Sequence, residues 1–355
     1  MRPIALASRL LRMVSLPLLA LLAIVPACGG QTDEQYRQQI ANDMRQALVV
    51  DLQHFVKATQ ALMDAAPLTQ ERGWDPQKDA EALLTMRAEW AHARDLYEHV
   101  EGAVAPLFPR IGFALDSRYE DVLAQLGPEG DPYLFDDVGM VGLDAVERIL
   151  YADTTPQGVV DFEMSLTGYR TAAFPATAQE AADFKTKLCA RLVADATSLL
   201  QGWTSTSLDV GGAYGGLTSL VEEQRDELDH ATTNSVESRY SQRTMDDLRA
   251  NLEGVEDMYG LFRPWLATKQ CGAAIDGDIE ASFARIDDLY AAVNGDALPP
   301  PPATWSATSP SIEDLQTAYG QLYEGLVQTT DPGRPGTLVS RMNDAAALLA
   351  LPVAH

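Results

Sequence analysis

The sequence predicts an all-α protein built from two antiparallel helix-bundle halves. Apolar residues recur three and four positions apart through most of the chain, which is the spacing of one helix face. No series of alternating apolar and polar residues predicts a β-sheet. Proline- and glycine-rich stretches separate the helical ones, as expected for short connections in a bundle. A connection over residues 152–176 separates halves of about 35–155 and 175–352, which share a layout.

The first 27 residues predict a signal peptide. Three arginines precede an apolar run over residues 16–25, which is too short to span a bilayer comfortably. The run ends at a small residue followed by Cys28, which resembles a bacterial lipobox and predicts that Cys28 carries lipid, with residues 28–34 as a tether. The alternative is an ordinary signal peptide with a chance cysteine. Either way the protein is exported, and Gly29 favours anchoring in an outer membrane over the periplasmic face of the inner one.

Helical spacing then predicts the elements of the first half in order. They cover residues 32–63, 75–101, 117–126 and 135–151. Asp75 is the predicted N-cap of the second helix, because Pro76 suits a first helical turn. Turn-forming residues over 127–132 predict the loop before the fourth helix.

The second half follows the same layout. Its predicted helices cover residues 177–203, 217–231, 241–266, 275–293, 311–327 and 337–349. Paired glycines over residues 211–216 predict a loop before the second of these helices. The proline run over 299–302 predicts a rigid, extended spacer.

The stretch from Gly142 to Glu147 contains the first candidate site for binding a cation or a proton. Asp144 and Glu147 are three residues apart and lie one turn from each other on one helix face. Two carboxylates placed in this way can bind a hard cation or share a proton. Gly142 permits close approach of another backbone or of a ligand at the helix start. The alternative is a solvated acidic face.

One face of the predicted helix 75–101 combines aromatic, basic and acidic side chains. Trp90, Arg94, Tyr97 and Glu101 share one face, and Glu98 can pair with Arg94 one turn away. One interpretation is the wall of a cleft in which the arginine orients carboxylates. The other is a packing edge, with an arginine that extends its charged end to water.

The stretch from Glu237 to Gly254 opens the predicted helix 241–266. Ser241 is its predicted N-cap, and Asp247 falls where the helix dipole favours negative charge. Asp247, Asn251 and Gly254 share a face, on which Gly254 permits close approach of another helix. Capping and tight packing explain most of this pattern.

These stretches together resemble the imelysin family. The segment Trp90-x-x-x-Arg94-x-x-Tyr97 is similar to the signature of the family's first half. The second-half signature is matched by Glu237-Ser238-x-Tyr240-Ser241-x-x-Thr244-x-x-Asp247-x-x-x-Asn251-x-x-Gly254. The segment Gly142–Glu147 lies where the family's Gly-x-His-x-x-Glu motif would lie, with Glu147 matching and Asp144 in place of the histidine.

The resemblance covers most of residues 35–350 and implies one all-helical, imelysin-like domain over 35–355. It also implies an envelope protein tied to iron acquisition, often a lipoprotein, which agrees with the prediction for Cys28. An aspartate in place of the histidine favours harder cations, such as ferric iron, calcium or manganese. The substitution is equally compatible with a site that has lost its function.

Three functions follow as hypotheses. The first is an exported, lipid-anchored protein that binds a metal ion, iron or calcium, through Asp144 and Glu147 with Glu98 or Glu101 from a facing helix, and that works with an envelope transport or surface protein. The second is a scaffold or partner-binding lipoprotein with a degenerate site. The third is a metallopeptidase, against which stands the absence of a His-Glu-x-x-His sequence.

The net charge and the cysteines restrict the possible partners and the possible disulfide. The formal net charge of −25 disfavours nucleic acids and anionic lipid headgroups as partners and favours cations. If Cys28 carries lipid, Cys189 and Cys271 remain, and an exported compartment permits a disulfide between them. Two buried free thiols are the alternative.

Overall fold

Every regular element in residues 31–352, the part of the chain that the computed structural model describes, is helical. No strand occurs within these residues, so the all-α prediction is confirmed. The predicted signal peptide and Cys28 lie outside the described residues. The chain from Asp33 onward forms one unit, and its first helix begins there, inside the predicted tether. None of the described helices is long and apolar enough to cross a membrane.

The first half contains six α-helices among the described residues, and a short 3₁₀ helix, Gly127–Glu129, follows the fourth of them. The α-helices are α1 (Asp33–Ala65), α2 (Ala80–Val104), α3 (Pro109–Leu115), α4 (Tyr119–Leu126), α5 (Gly142–Leu150) and α6 (Gln157–Met164). The predicted N-cap of α2 is wrong, because Asp75 accepts hydrogen bonds from the backbone N–H groups of Gln77 and Lys78 and forms a separate turn before the helix.

The second half begins with one long, continuous helical stretch. It consists of α7 (Ala178–Asp183), a π-helical segment (Phe184–Cys189) and α8 (Ala190–Ser205). Thr177 and Glu180 form a capping box at its start, each side chain accepting from the backbone of the other. The remaining helices are α9 (Val210–Ala231), α10 (Thr244–Gly260), α11 (Arg263–Leu266), α12 (Gly272–Ala291), α13 (Ile312–Leu315), α14 (Ala318–Thr330) and α15 (Leu338–Leu349).

The central helix is α2, which packs against α1, α5, α9 and α10. Its buried side chains therefore point in several directions and include charged as well as apolar ones. The two halves share one hydrophobic core, since α1 also packs against α8. This arrangement puts the polar residues of α2 between elements from both halves.

The close approach of α10 to α2 depends on Gly254. A Cβ atom at this position would lie 1.9 Å from the carbonyl oxygen of His99 on α2, which is far inside van der Waals contact. The expected role of Gly254 in close helix packing is thus confirmed. It brings the polar face of α10, with Asp247 and Asn251, against α2.

Two predicted boundaries differ from the structure at glycines. The predicted loop over residues 211–216 is helical, because α9 begins at Val210 and is capped by Asp209, whose side chain accepts from Gly211 N–H. The predicted helix 135–151 starts only at Gly142, which has a φ of +89°. A Cβ atom on Gly142 would lie 2.4 Å from the carbonyl oxygen of Ala114. The turn therefore requires glycine, and it sets the position of α5.

The predicted disulfide is not formed. Cys189 is fully buried in the π-helical segment, whereas Cys271 is exposed just before α12, and both thiols are free. A thiol enclosed in the core cannot reach one on the surface without movement of the backbone. Burial raises the pKa of the Cys189 thiol, which makes it an unreactive apolar side chain.

Candidate metal centre

Arg94 on α2 lies at the centre of a buried group of carboxylates. Its side chain is 0% exposed. Its Nε atom lies 2.6 Å from Oε1 of Glu98, one turn along the helix, although the geometry is not that of a hydrogen bond. Its two Nη atoms donate to Asp116, which follows α3, and to Glu237 in the loop before α10, the latter at 3.1 Å. One guanidinium thus joins three segments of the chain.

Two further carboxylates lie close to the same guanidinium. Asp144 on α5 has its Oδ1 atom 3.8 Å from Nη1 of Arg94. Asp247 on α10 has its Oδ1 atom 3.6 Å from Nε of Arg94. Negative groups outnumber positive ones at this buried position, and a buried charge needs compensation by a proton or a cation.

Glu98, Glu101 and Asp116 form a metal-sized triad beside Arg94. One carboxylate oxygen from each lies within 4.8 Å of the other two. Within residues 31–352, neither oxygen of the fully buried Glu98 has a hydrogen-bond partner. Carboxylate oxygens are the ligands that hard cations prefer. The triad therefore fits a hard cation both in spacing and in the unsatisfied oxygens that it offers.

Burial shifts the proton affinity of these groups strongly. Loss of hydration raises the pKa values of Glu98, Glu101 and Asp144 well above their ordinary range, and neighbouring carboxylates add to the effect. Burial opposes the charge of Glu237 as well, but Arg118 and Arg94 together hold its pKa below the ordinary value. The pKa of Glu237 is thus shifted in the opposite direction from those of Glu98, Glu101 and Asp144, because two arginines lie beside it.

A cleft of about 410 Å³ runs between α2 and α9 and reaches Glu101. Glycines of α9 form one wall, Gly102 and Pro106 form the other, and Glu223 also lines the cleft. The triad is consequently connected to the surface of the protein through one of its own members.

The predicted pair Asp144 and Glu147 is buried, at 4% and 1% exposure, so a solvated acidic face is wrong. The two carboxylates have different surroundings. Asp144 lies near Arg94, whereas Oε1 of Glu147 accepts a hydrogen bond of 2.7 Å from the backbone N–H of Ser241. Burial raises the pKa of Glu147 to about 7. Glu147 thus fastens the loop before α10 to α5.

Ser241 is not the N-cap of α10, which begins at Thr244 after Arg243. Ser241 belongs to a tight loop in which Ser238 and Gln242 have positive φ values of 44° and 61°. Left-handed conformations cost energy for residues other than glycine, and they concentrate at functional sites. Here they bring Glu237 to Arg94 and the N–H of Ser241 to Glu147.

The other residues of the first-half signature hold the site together. Trp90 donates from its Nε1 atom to the carbonyl oxygen of Leu143 at 3.0 Å and so fixes the start of α5. Tyr97 packs against Phe55, and in the described part of the chain its buried hydroxyl has no hydrogen-bond partner. The same holds for Oδ1 of the buried Asn251.

Tyr240 belongs to a separate buried network. Its hydroxyl donates to Glu163 on α6, and Glu163 also accepts from Nη2 of Arg148 at 2.8 Å. Arg148 in turn lies over the ring of Tyr119, 4.0 Å from its centroid. This network ties α5 and α6 to the loop before α10, but its carboxylate is already neutralised.

Sequence reasoning missed Asp116 and its neighbour Arg118. Arg118 donates to Glu237 at 3.1 Å and to Glu227 on α9, which connects the two halves by charge. Both residues are partly buried at the turn between α3 and α4. Asp116 precedes the predicted helix 117–126 and Arg118 falls in its first turn, so helical spacing does not connect either of them to Arg94. The acid-rich sequence of α9, with Glu223 and Glu227 one turn apart, is the only signal that could have pointed to this side of the site.

Comparison with known proteins agrees with this architecture. The family model described as Imelysin (peptidase M75) matches residues 34–328. The iron uptake system component EfeO of Escherichia coli K12 is 22% identical over 205 residues, which are 58% of this chain and 44% of that protein. EfeO of Shigella flexneri gives the same values. The chain thus spans less than half the length of these relatives. The match over most of the chain and the helical architecture lead to one conclusion: the chain belongs to the imelysin family.

Proposed function

We propose that this protein binds a hard metal cation at Glu98, Glu101 and Asp116 and serves iron acquisition at the cell envelope. Two of these ligands, Glu98 and Glu101, are predicted from the sequence, whereas Asp116 comes from the structure. Asp144 shares Nη1 of Arg94 with Asp116 and is the proposed fourth carboxylate. Glu147 acts beside them by positioning the loop that carries Glu237.

The observation that carries the proposal is the carboxylate of Glu98. It is fully buried and none of the described residues satisfies either of its oxygens by a hydrogen bond. Its close charged partner is Nε of Arg94, at 2.6 Å, but the same guanidinium lies within 4 Å of four other carboxylates. Burial of the ionised carboxylate therefore still costs free energy. A cation between Glu98, Glu101 and Asp116 would remove this cost, because it would bind the oxygens and neutralise their charge.

The donor set supports a hard ion. The triad contains only carboxylates among the described residues. The imidazole of His99, which lies between Glu98 and Glu101 in the sequence, contacts Asp51 and Asp257 instead, at 3.4 Å each. Oxygen ligands suit ferric iron, calcium and manganese. Iron is the cargo that agrees with the name of the relatives, iron uptake system component EfeO.

The proposed setting is the cell envelope. The predicted lipobox at Cys28 supports attachment to a membrane by lipid, and the net charge of −25 raises the local concentration of cations around the protein. As a binding protein for an imported ion, it would deliver its cargo to a transport or surface protein of the envelope.

Equilibrium dialysis of the purified protein against iron, calcium, manganese and zinc tests the metal site. We expect one bound ion per chain and at least a tenfold loss of affinity in Glu98→Gln, which keeps the shape of the side chain but removes its charge. Glu253→Gln on the exposed face of α10 is the matched control and should bind like the wild type. Equally weak binding in all three proteins would contradict the proposal.

A scaffold with a degenerate site is the second candidate, and the position of Arg94 favours it. A guanidinium among the carboxylates already supplies one positive charge, as expected where a side chain has replaced an ion. In that case no ion binds to the wild type with a defined stoichiometry, and Glu98→Gln binds metal as weakly as the wild type. The same dialysis therefore separates the two functions.

A further inference from the structure

The cleft between α2 and α9 contains carboxylates at three depths. Glu223 is exposed at the surface, Glu101 is half-buried in the wall, and Glu98 is fully buried behind it. Oxygens of Glu101 and Glu98 lie within 4.8 Å of each other. A cation that entered the cleft would thus meet carboxylate oxygens at each depth until it reached the triad.

The glycines of α9 provide a second, independent observation. Glycine inside a helix destabilises it by about 1 kcal/mol relative to alanine, so each one needs a reason. A Cβ atom on Gly211 would lie 2.6 Å from Pro352, and one on Gly216 would lie 2.3 Å from the carbonyl oxygen of Gly102. Gly212 is restricted in the same way by Asp209, at 3.0 Å. Close packing therefore explains these three glycines.

Packing does not explain Gly215. It lies in the interior of α9 and lines the cleft, and no described atom lies within 4 Å of the position that its Cβ would take. Any larger side chain would point into the cleft and fill it. The absence of a side chain at this residue therefore keeps the cleft open and is not required by a contact within the protein.

We infer that this cleft is the route by which a free cation reaches the triad, with Glu223 as its first contact and Gly215 keeping the passage open. The inference rests on the proposed metal site. A passage lined by carboxylates attracts a bare or hydrated cation and repels an anionic chelate of the same metal. Glu223 acts on the rate of entry, since it lies outside the triad and does not bind the ion at its final position.

Terbium(III) is a suitable probe, because it is a hard cation and its luminescence is sensitised by a nearby aromatic ring such as that of Tyr97. Stopped-flow mixing gives the rate of its entry, and titration gives its affinity. We expect Gly215→Trp to slow both entry and release at least tenfold and to change the dissociation constant less than threefold. Gly277→Trp on α12, where the space is equally open, is the matched control and should behave like the wild type.

A second variant reverses the charge at the entrance of the cleft. Glu223→Lys replaces an exposed side chain, so the fold is retained, and we expect slower entry at low salt with a smaller difference at high salt. The terbium complex with two citrate ions, which is an anionic chelate, should load the wild type more slowly than the free ion.

The outcomes separate the inference from the proposed function. If the wild type and Glu98→Gln bind terbium equally weakly, the proposed metal site is wrong. If the wild type binds through Glu98, but Gly215→Trp and Glu223→Lys both load at the rate of the wild type, the metal site stands and this route is wrong. Circular dichroism identifies a Gly215→Trp protein that fails to fold, in which case Glu223→Lys decides.

Discussion

Arg94 determines how many negative charges the buried site can hold. Five carboxylates lie within 4 Å of its guanidinium, and they come from α2, α5, α10, the residue after α3 and the loop before α10. Burial opposes the charge of Arg94, but Asp116 and Glu98 more than offset this, and its pKa lies well above the ordinary value. Arg94 is therefore always charged and acts as a permanent counter-ion.

Replacement of Arg94 by methionine should destabilise the protein by about 3–5 kcal/mol at neutral pH, because it leaves buried carboxylates without a partner. Urea unfolding measures the change. Arg285→Met on the exposed face of α12 is the control and should stay within about 0.5 kcal/mol of the wild type. A loss of equal size in both variants would mean that Arg94 is not needed for charge compensation.

Glu147 makes the stability of the protein dependent on pH. Its folded-state pKa is about 7, raised by burial from 4.5, so the folded protein binds this proton more tightly than the unfolded chain. The associated stability is present below pH 4.5 and is lost as pH rises towards and through 7.

Glu147→Gln removes this titration. Relative to the wild type, the variant should gain up to about 3 kcal/mol of stability between pH 5 and pH 8, measured by urea unfolding with a chelator present. Glu253→Gln corrects for the loss of one charge. A difference between Glu147→Gln and the wild type that stays constant with pH would disprove the assignment.

The sequence predicts the parts of the site that lie on one helix. Arg94 and Glu98 are four residues apart, so their ion pair follows from helical spacing alone. Asp116 cannot be found in this way, because its approach to Arg94 depends on how α3 ends and packs against α2. Asp144 and Glu147 are correctly placed on one helix, but only the packing of α10 gives them different partners.

At the level of elements, α9 shows why helix boundaries are hard to predict from glycines. Four glycines within six residues indicate a loop by their intrinsic preference. Tertiary packing overrides this preference, since the small residues let α9 lie against α2 and Pro106. In contrast, Gly142 does end a loop, because its backbone has a positive φ that other residues rarely adopt.

The contact between α10 and α2 provides a test at this scale. Gly254→Ala should destabilise the protein by at least about 2 kcal/mol, because the new methyl group meets the rigid backbone of α2 and not a flexible side chain. Gly277→Ala, in open space on α12, should instead stabilise it by up to about 1 kcal/mol. Denaturant unfolding of both variants checks the expectation. The two changes in the free energy of unfolding should have opposite signs. Similar changes in both variants would contradict the role of Gly254.

For the whole molecule, the all-α class was predictable because long amphipathic stretches are the strongest pattern in the chain. The predicted connection over residues 152–176 divides the chain into two halves along the sequence. It does not predict that helices from both halves pack into one core, namely α1, α2, α8, α9 and α10. Such contacts depend on packing between distant segments. The unpaired thiols of Cys189 and Cys271 likewise could not be predicted from their presence alone.

Ligand binding should be visible in the stability of the whole protein. An ion at a hundred times its dissociation constant stabilises the folded state by about 2.7 kcal/mol, which corresponds to a rise in Tm of roughly 5 °C. Thermal unfolding with and without the ion that binds in dialysis measures this rise. Glu98→Gln should lack it, and an equal rise in both proteins would place the ion elsewhere on the acidic surface.

The guanidinium of Arg94 also has a consequence for the choice between ions. An incoming ion competes with a positive group that is already present and cannot leave the helix on which it lies. A monovalent ion brings no more charge than the guanidinium supplies, so sodium and potassium gain little by entering despite their abundance. Ions of higher charge density gain more from the same oxygens, since the attraction grows with charge and with shorter distance. At the proposed site, the arginine would therefore set a threshold of charge that separates multivalent ions from sodium and potassium.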